Sequence, residues 1–298
     1  MNERACALLL AGLVGAGPGA RAAPALTGHG EGWDERHLQE SDTEEIRQTF
    51  AGGARPLQVV VDNLNGSIEV VGHDADRVEL VARRTNRARS PEKLQEAKRA
   101  VQLDIDAEPG RVRLYVDGPH RDRDGRTHDL GARHMGYQVD FDFTLHVPRH
   151  AEVDLRTVND GDIRVTGIRG GYDVENINGG IEMLDVGGAG RVYALNGEVH
   201  VTFERNPSDE SFFGSLNGDV EIEFRRDLAA ELRLKTFNGD VYSDFEVSAA
   251  TADAPERERR NGKHVYRVGK SFGVLVGGGG PRLEFDAFNG DIRIVNRD

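Results

Sequence analysis

Leu216-Asn217-Gly218-Asp219-Val220-Glu221-Ile222 decides the fold, because the chain writes it again and again. Copies read Leu64-Asn65-Gly66, Ile177-Asn178-Gly179, Leu195-Asn196-Gly197, Phe237-Asn238-Gly239 and Phe288-Asn289-Gly290, with an irregular Val158-Asn159-Asp160-Gly161. Aligned on glycine, the second following residue is always Ile or Val: Ile68, Ile163, Ile181, Val199, Val220, Val241 and Ile292. The fourth is Val70, Val165, Met183, Val201, Ile222 or Ile294, and only Ser243 departs. A turn followed by period-two alternation, repeated along a chain, is the signature of stacked β-structure.

Asn-Gly is also the strongest short signal for a two-residue hairpin. Pairing argues against it here. A hairpin closed at Asn217-Gly218 would set Leu216 on the polar face, opposite Asp219, and Leu195, Phe237 and Phe288 would repeat the misfit. At a solenoid corner, the residue before Asn and the second after Gly can both point inward. The glycines at 161, 179, 197, 218 and 239 are 18 to 21 residues apart, one coil each, stacked ~4.8 Å from the next. The reading is an all-β, single-stranded β-solenoid. The corner pairs are Asn65-Gly66, Asn178-Gly179, Asn196-Gly197, Asn217-Gly218, Asn238-Gly239 and Asn289-Gly290, their Asn amides in a ladder and their glycines supplying positive φ.

Around this core the chain divides. Residues 1–22 read as a secretory signal peptide: Arg4, an apolar run from Ala5 to Gly17, then Ala20-Arg21-Ala22. Residues 23–42 read as a flexible segment and 43–298 as the repeat domain, with insertions at 118–136 and 248–263. One helix is expected, Pro91–Gln102, with Ser90 as its cap. The alternation over Tyr137–Val147 places Val139, Phe141, Phe143, Leu145 and Val147 on one face. Cys6, the only cysteine, stands at the start of the apolar run and not after it, so neither a disulfide nor a lipid anchor is expected.

Formal charge is −13. Such a surface disfavours nucleic acid and anionic lipid, which need clustered Lys/Arg, and no stretch approaches the ~20 apolar residues of a membrane helix. The expected location is outside the cytoplasm, periplasmic or at the cell surface.

Three segments carry a family resemblance. Leu57–Gly72, containing Asp62-Asn63-Leu64-Asn65-Gly66-Ser67-Ile68, resembles the opening repeat of a bacterial adhesin-like β-strand-repeat family without assigned function. Val147-Pro148 with Val153–Val158 and Gly161–Val165 is similar to its middle, and Gly277–Ile294 to its closing repeat. The resemblance implies a β-solenoid on an exported or envelope-facing protein, and no catalytic residues.

Candidate sites are few. Glu198, Asp219 and Asp240 follow repeat glycines, and stacked on consecutive coils they could line a calcium rail; as plain corner residues they would accept turn amides instead. His120, His128 and His134, with Asp122, Asp124 and Asp129, lack zinc-motif spacing. Gly277–Gly280 is followed by Pro281 and a strand rather than by the helix a phosphate loop needs. No Gly-x-Ser-x-Gly nucleophile occurs. The expectation is therefore a non-enzymatic binding or scaffold protein of the envelope, without metal or cofactor, whose partner is a surface protein or glycan. The alternative is a carbohydrate-active enzyme of the β-helix class.

Overall fold

A computed structural model describes residues 38–53, 56–119, 121, 135–249, 256–260, 263–267 and 272–297. The signal peptide and the histidines at 120, 128 and 134 lie outside the described residues.

Ahead of the regular array come β1 (Glu40–Ala51), β2 (Gln58–Asp62), β3 (Ile68–His73), β4 (Arg77–Ala88), α1 (Pro91–Ala100), β5 (Gln102–Glu108), β6 (Arg111–Asp117) and β7 (Tyr137–Pro148). The array is β8 (Glu152–Thr157), β9 (Ile163–Thr166), β10 (Tyr172–Asn178), β11 (Ile181–Val186), β12 (Gly190–Asn196), β13 (Val199–Phe203), β14 (Ser211–Asn217) and β15 (Val220–Arg225). After it follow β16 (Ala230–Asn238), β17 (Val241–Ser243), β18 (Ser248–Ala249), β19 (Glu256–Arg260), β20 (Lys263–Arg267), β21 (Phe272–Val276), β22 (Arg282–Asn289) and β23 (Ile292–Arg297).

Strands of the array alternate between two facing sheets. Sheet I runs β18-β21-β16-β22-β14-β12-β10-β8-β2-β6-β5, and sheet II runs β1-β4-β7-β3-β9-β11-β13-β15-β23-β17-β20-β19. Each coil climbs a sheet I strand, turns at Asn-Gly, and continues in sheet II. Neighbouring coils pair in parallel and in repeat register, Asn178 beside Asn196 and Asn196 beside Asn217. The Asn-Gly steps are corners, and the chain is the all-β solenoid its pattern implied, flattened to two faces.

The period-two residues fill the space between the sheets. Val139, Phe141, Phe143, Leu145 and Val147 are buried, as are Ile163, Ile181, Val199, Val220, Val241 and Ile292 from the corner pattern. Ser243 faces inward too, its hydroxyl accepting from the Phe245 amide at 3.1 Å. Phe203 stacks on Phe224 at 5.1 Å, and Phe213 lies 5.4 Å from Phe285. Each such side chain contributes about 1.5–3 kcal/mol of burial.

Stacking does not follow chain order, and the single ascending solenoid needs correction there. The coil β22–β23 sits between β14–β15 and β16–β17. At the other end β2–β3 sits between β8–β9 and β6–β7. The repeat pattern makes every coil edge equivalent, so it fixes register but not neighbour. Both ends then change to antiparallel pairing. Strands β4 and β1 extend from β7, and β5 from β6; β21 and β18 extend from β16, and β20 and β19 from β17. Terminal strands of a different kind end the row of identical edges that would otherwise recruit more coils.

Other boundaries shift slightly. Strand β1 starts at Glu40, within the segment read as flexible, and 248–263 carries β18, β19 and the first residue of β20. The helix ends at Ala100 rather than Gln102, because Val101 is extended and Gln102 pairs with Asp117 of β6. Its cap forms as the sequence implied, Ser90 accepting from the Lys93 amide. Among the described residues no helix is long and apolar enough to cross a membrane.

Candidate functional site

At the corners, one asparagine amide donates to the next. Asn159 bonds Asn65 at 3.2 Å, Asn178 bonds Asn159 at 2.8 Å, Asn196 bonds Asn178 at 2.9 Å and Asn217 bonds Asn196 at 2.8 Å. Asn289 then bonds Asn217, and Asn238 bonds Asn289, both at 2.7 Å. Every amide points the same way, and Asn65 ends the series on the Val139 carbonyl. Aligned amide dipoles strengthen one another.

The corner glycines are needed for closeness more than for conformation. A Cβ on Gly197 would lie 2.0 Å from the Gly179 carbonyl oxygen, and one on Gly239 2.0 Å from that of Gly290. Of the six corner glycines, Gly66 and Gly218 alone have positive φ, so the expected reason for glycine is corrected. Several of the carbonyls thus brought inward are met by a polar side chain two residues before an Asn, though Ala194 and Ala287 occupy that place at two corners. Thr157 bonds Gly66, Ser215 bonds Gly197 and Thr236 bonds Gly290, at 2.8–3.0 Å. Asn176 donates to Gly161 and Gly180. These inner caps escaped the sequence reading, although small or polar residues recur at that offset.

The acidic corner residues form their own series. Asp219 accepts from the Asp291 amide at 2.8 Å, and Asp291 from the Asp240 amide at 2.9 Å. Asp291 therefore lies between Asp219 and Asp240, which were expected on consecutive coils; the inserted last coil separates them. Arg293 holds Asp219 at 2.5 Å and Asp291 at 2.9 Å. Partial burial works against the Asp219 carboxylate, but the Asp291 amide and the Arg293 guanidinium outweigh it and hold its pKa below the usual range. Glu198, next to Asp219 in the stack, is exposed.

The residue before each asparagine was expected inside; Leu64 is buried as expected, but at the later corners the structure corrects the sequence reading most. The pleat continues unbroken to Asn, so Ala194, Ser215, Thr236 and Ala287 take the inward positions. Leu195, Leu216, Phe288 and Phe237 therefore stand on the outer face of sheet I. Phe237 is 69% exposed and Phe288 43%, their rings stacked at 4.9 Å and 5°. With Ile177 they make an apolar row beside the Asn ladder. Its signal was present: counted back by twos from the buried residues, these positions fall on the wrong parity for the core.

Aromatic rings continue this face. Tyr193 and Phe212 lie 6.4 Å apart, and the Arg191 guanidinium stands over both, at 5.0 and 5.6 Å. Gly214 leaves a gap in the outer row into which the Phe212 ring leans, 2.9 Å from where a Cβ would be. Beside it, Glu210, Phe212, Arg282 and Glu284 bound a shallow depression of about 200 Å³. A wider one of about 440 Å³ lies at the opposite corner. Its charges neutralise one another: Arg149 with Asp74 at 3.0 Å, Arg169 with Glu204 at 2.9 Å, and Asp185 with Arg297 at 2.6 Å.

Comparison with known proteins gives an architectural answer. Residues 142–273 match the family described as Toastrack DUF4097. No curated protein matches the chain. A solved structure described as a putative cell adhesion protein from Clostridium sporogenes ATCC 15579 is similar at 10% identity, over 87% of this chain and 99% of that one, with a TM-score of 0.35. Another, described as a putative adhesin from Bacteroides fragilis NCTC 9343, is similar at 11% identity, over 88% and 99%, with a TM-score of 0.29.

Proposed function

We propose that this chain, Toastrack-like across 142–273, is a non-enzymatic, adhesin-like binding protein of the cell envelope that holds its partner on the outer face of sheet I. Export follows from residues 1–22 as a cleaved signal peptide, with 23–42 leading into the repeat domain of 43–298. The carrying observation is the row ending in Phe237 and Phe288, large rings held in water by a rigid frame. Such contiguous exposed apolar surface marks interaction sites. The −13 charge favours a neutral or basic partner, a surface protein or glycan, over nucleic acid or anionic lipid.

The test is binding of purified protein to isolated envelope fractions, comparing wild type with Phe237→Ser/Phe288→Ser. Because both rings are exposed, the double variant should keep its melting temperature and lose at least about tenfold in binding, the share expected of aromatic hot spots. Unchanged binding would refute the reading. The competing reading, a carbohydrate-active enzyme, draws on the acids of the wider depression, each of which is tied to an arginine. Turnover of an envelope polysaccharide that disappears in Glu204→Gln would establish it instead.

A further inference from the structure

We propose that His200, Glu221 and Glu223 form a binding site for a divalent transition-metal ion of the zinc class on the outer face of sheet II. His200 is on β13, and both glutamates are on β15, with His200 directly beside Glu221 in the parallel register and Glu223 one pleat further on. One donor atom from each lies within 4.8 Å of the other two. His200 Nε2 is 3.3 Å from Glu223 Oε1 and 4.0 Å from Glu221 Oε1.

These separations suit a small ion. Zinc–nitrogen and zinc–oxygen bonds of ~2.0–2.2 Å in tetrahedral geometry put ligand atoms ~3.4 Å apart. The His200–Glu223 pair already has that spacing, and Glu221 reaches it by rotation of its flexible side chain. An imidazole beside carboxylates selects zinc, nickel or copper over calcium and magnesium, which prefer all-oxygen sets.

Charge on the surrounding strands points the same way. Several other outer-face acids have cationic partners: Glu182 with Arg164, Glu175 with Arg156, Asp286 with Lys235. Of the two flanking strands, β11 brings a further acid, Glu182, beside His200, and β23 brings Arg293 beside Glu221 with its guanidinium bonded to Asp219 and Asp291. Among the described residues, Glu221 and Glu223 converge on His200 with no Lys or Arg ion pair of their own. Two carboxylates and one imidazole facing solvent favour a cation that supplies charge and takes all three donors. The remaining coordination position is open to water or to a donor from a bound partner. The ion would also tie together two coils that are 21 residues apart in sequence at Val199 and Val220.

The experiment uses untagged, full-length exported protein titrated with zinc chloride by calorimetry, with melting temperature as a second readout. One zinc per chain is expected, with a temperature rise that grows with free zinc, since the ion binds only the folded state. His200→Ala and Glu223→Gln, both on the half-buried outer face, should melt within a few degrees of wild type without zinc and bind it at least about tenfold more weakly. A His128→Ala/His134→Ala variant should bind as wild type does. Zinc affinity unchanged in His200→Ala, or lost in the His128/His134 variant instead, would overturn the proposal.

Discussion

Val220 and Asp219 are adjacent, yet the fold treats them oppositely. Val220 is fully buried between the sheets. Val220→Asp would place an unpaired carboxylate there at a cost of about 4 kcal/mol or more, much of the stability of a typical domain. Loss of the cooperative transition in denaturant is expected. Asp219→Asn should be mild at neutral pH, because the side chain is partly exposed and an acceptor oxygen is retained. Its effect should depend on pH with a definite sign. The folded pKa lies below the unfolded value of ~3.9, so the carboxylate's contribution is present above about pH 4 and disappears as acid protonates it. The melting-temperature difference between wild type and variant should shrink from pH 7 to pH 3. A difference that grows in acid would contradict this assignment.

The coil is the element of this fold, and its corner is where coils come closest. Gly197→Ala would put a methyl 2.0 Å from the Gly179 carbonyl, forcing two coils apart at a cost of about 2–3 kcal/mol. Gly187→Ala, whose methyl would meet Arg169 at an ordinary 3.7 Å, should be close to neutral in the same denaturation assay. Most of this element was legible in the sequence. Seven aligned corners gave the period, the parity of the core and the change of sheet. Their neighbours were not legible, since a residue's side depends on how far the pleat extends into the turn. Leu195 and Phe237 look like core to a reader who ends the strand early. The outer aromatic face stayed hidden for that reason. The His200 cluster stayed hidden for another: its members are 21 and 23 residues apart and meet only through the register of two coils.

At the scale of the molecule, the exchange of order near each end is the unexpected feature. Coil edges are interchangeable, so β16–β17 could pair directly with β14–β15 in the same register, Asn238 beside Asn217. A chain ending at Pro281 should therefore fold to a shorter rack and not unravel. Hydrogen exchange decides it. The Val220 amide, which bonds the Asp291 carbonyl in the full chain, should remain protected in the truncated one by β17 taking the vacant place; rapid exchange there would refute the idea. For biosynthesis the arrangement has a further consequence. Residues 230–243 leave the ribosome before residues 282–297, and the closed-up pairing is open to them at once. The last-made coil then has to prise apart two partners that already satisfy each other. Maturation of this protein should show a slow step, absent from the truncated chain, in which a premature seam opens to admit its final strands.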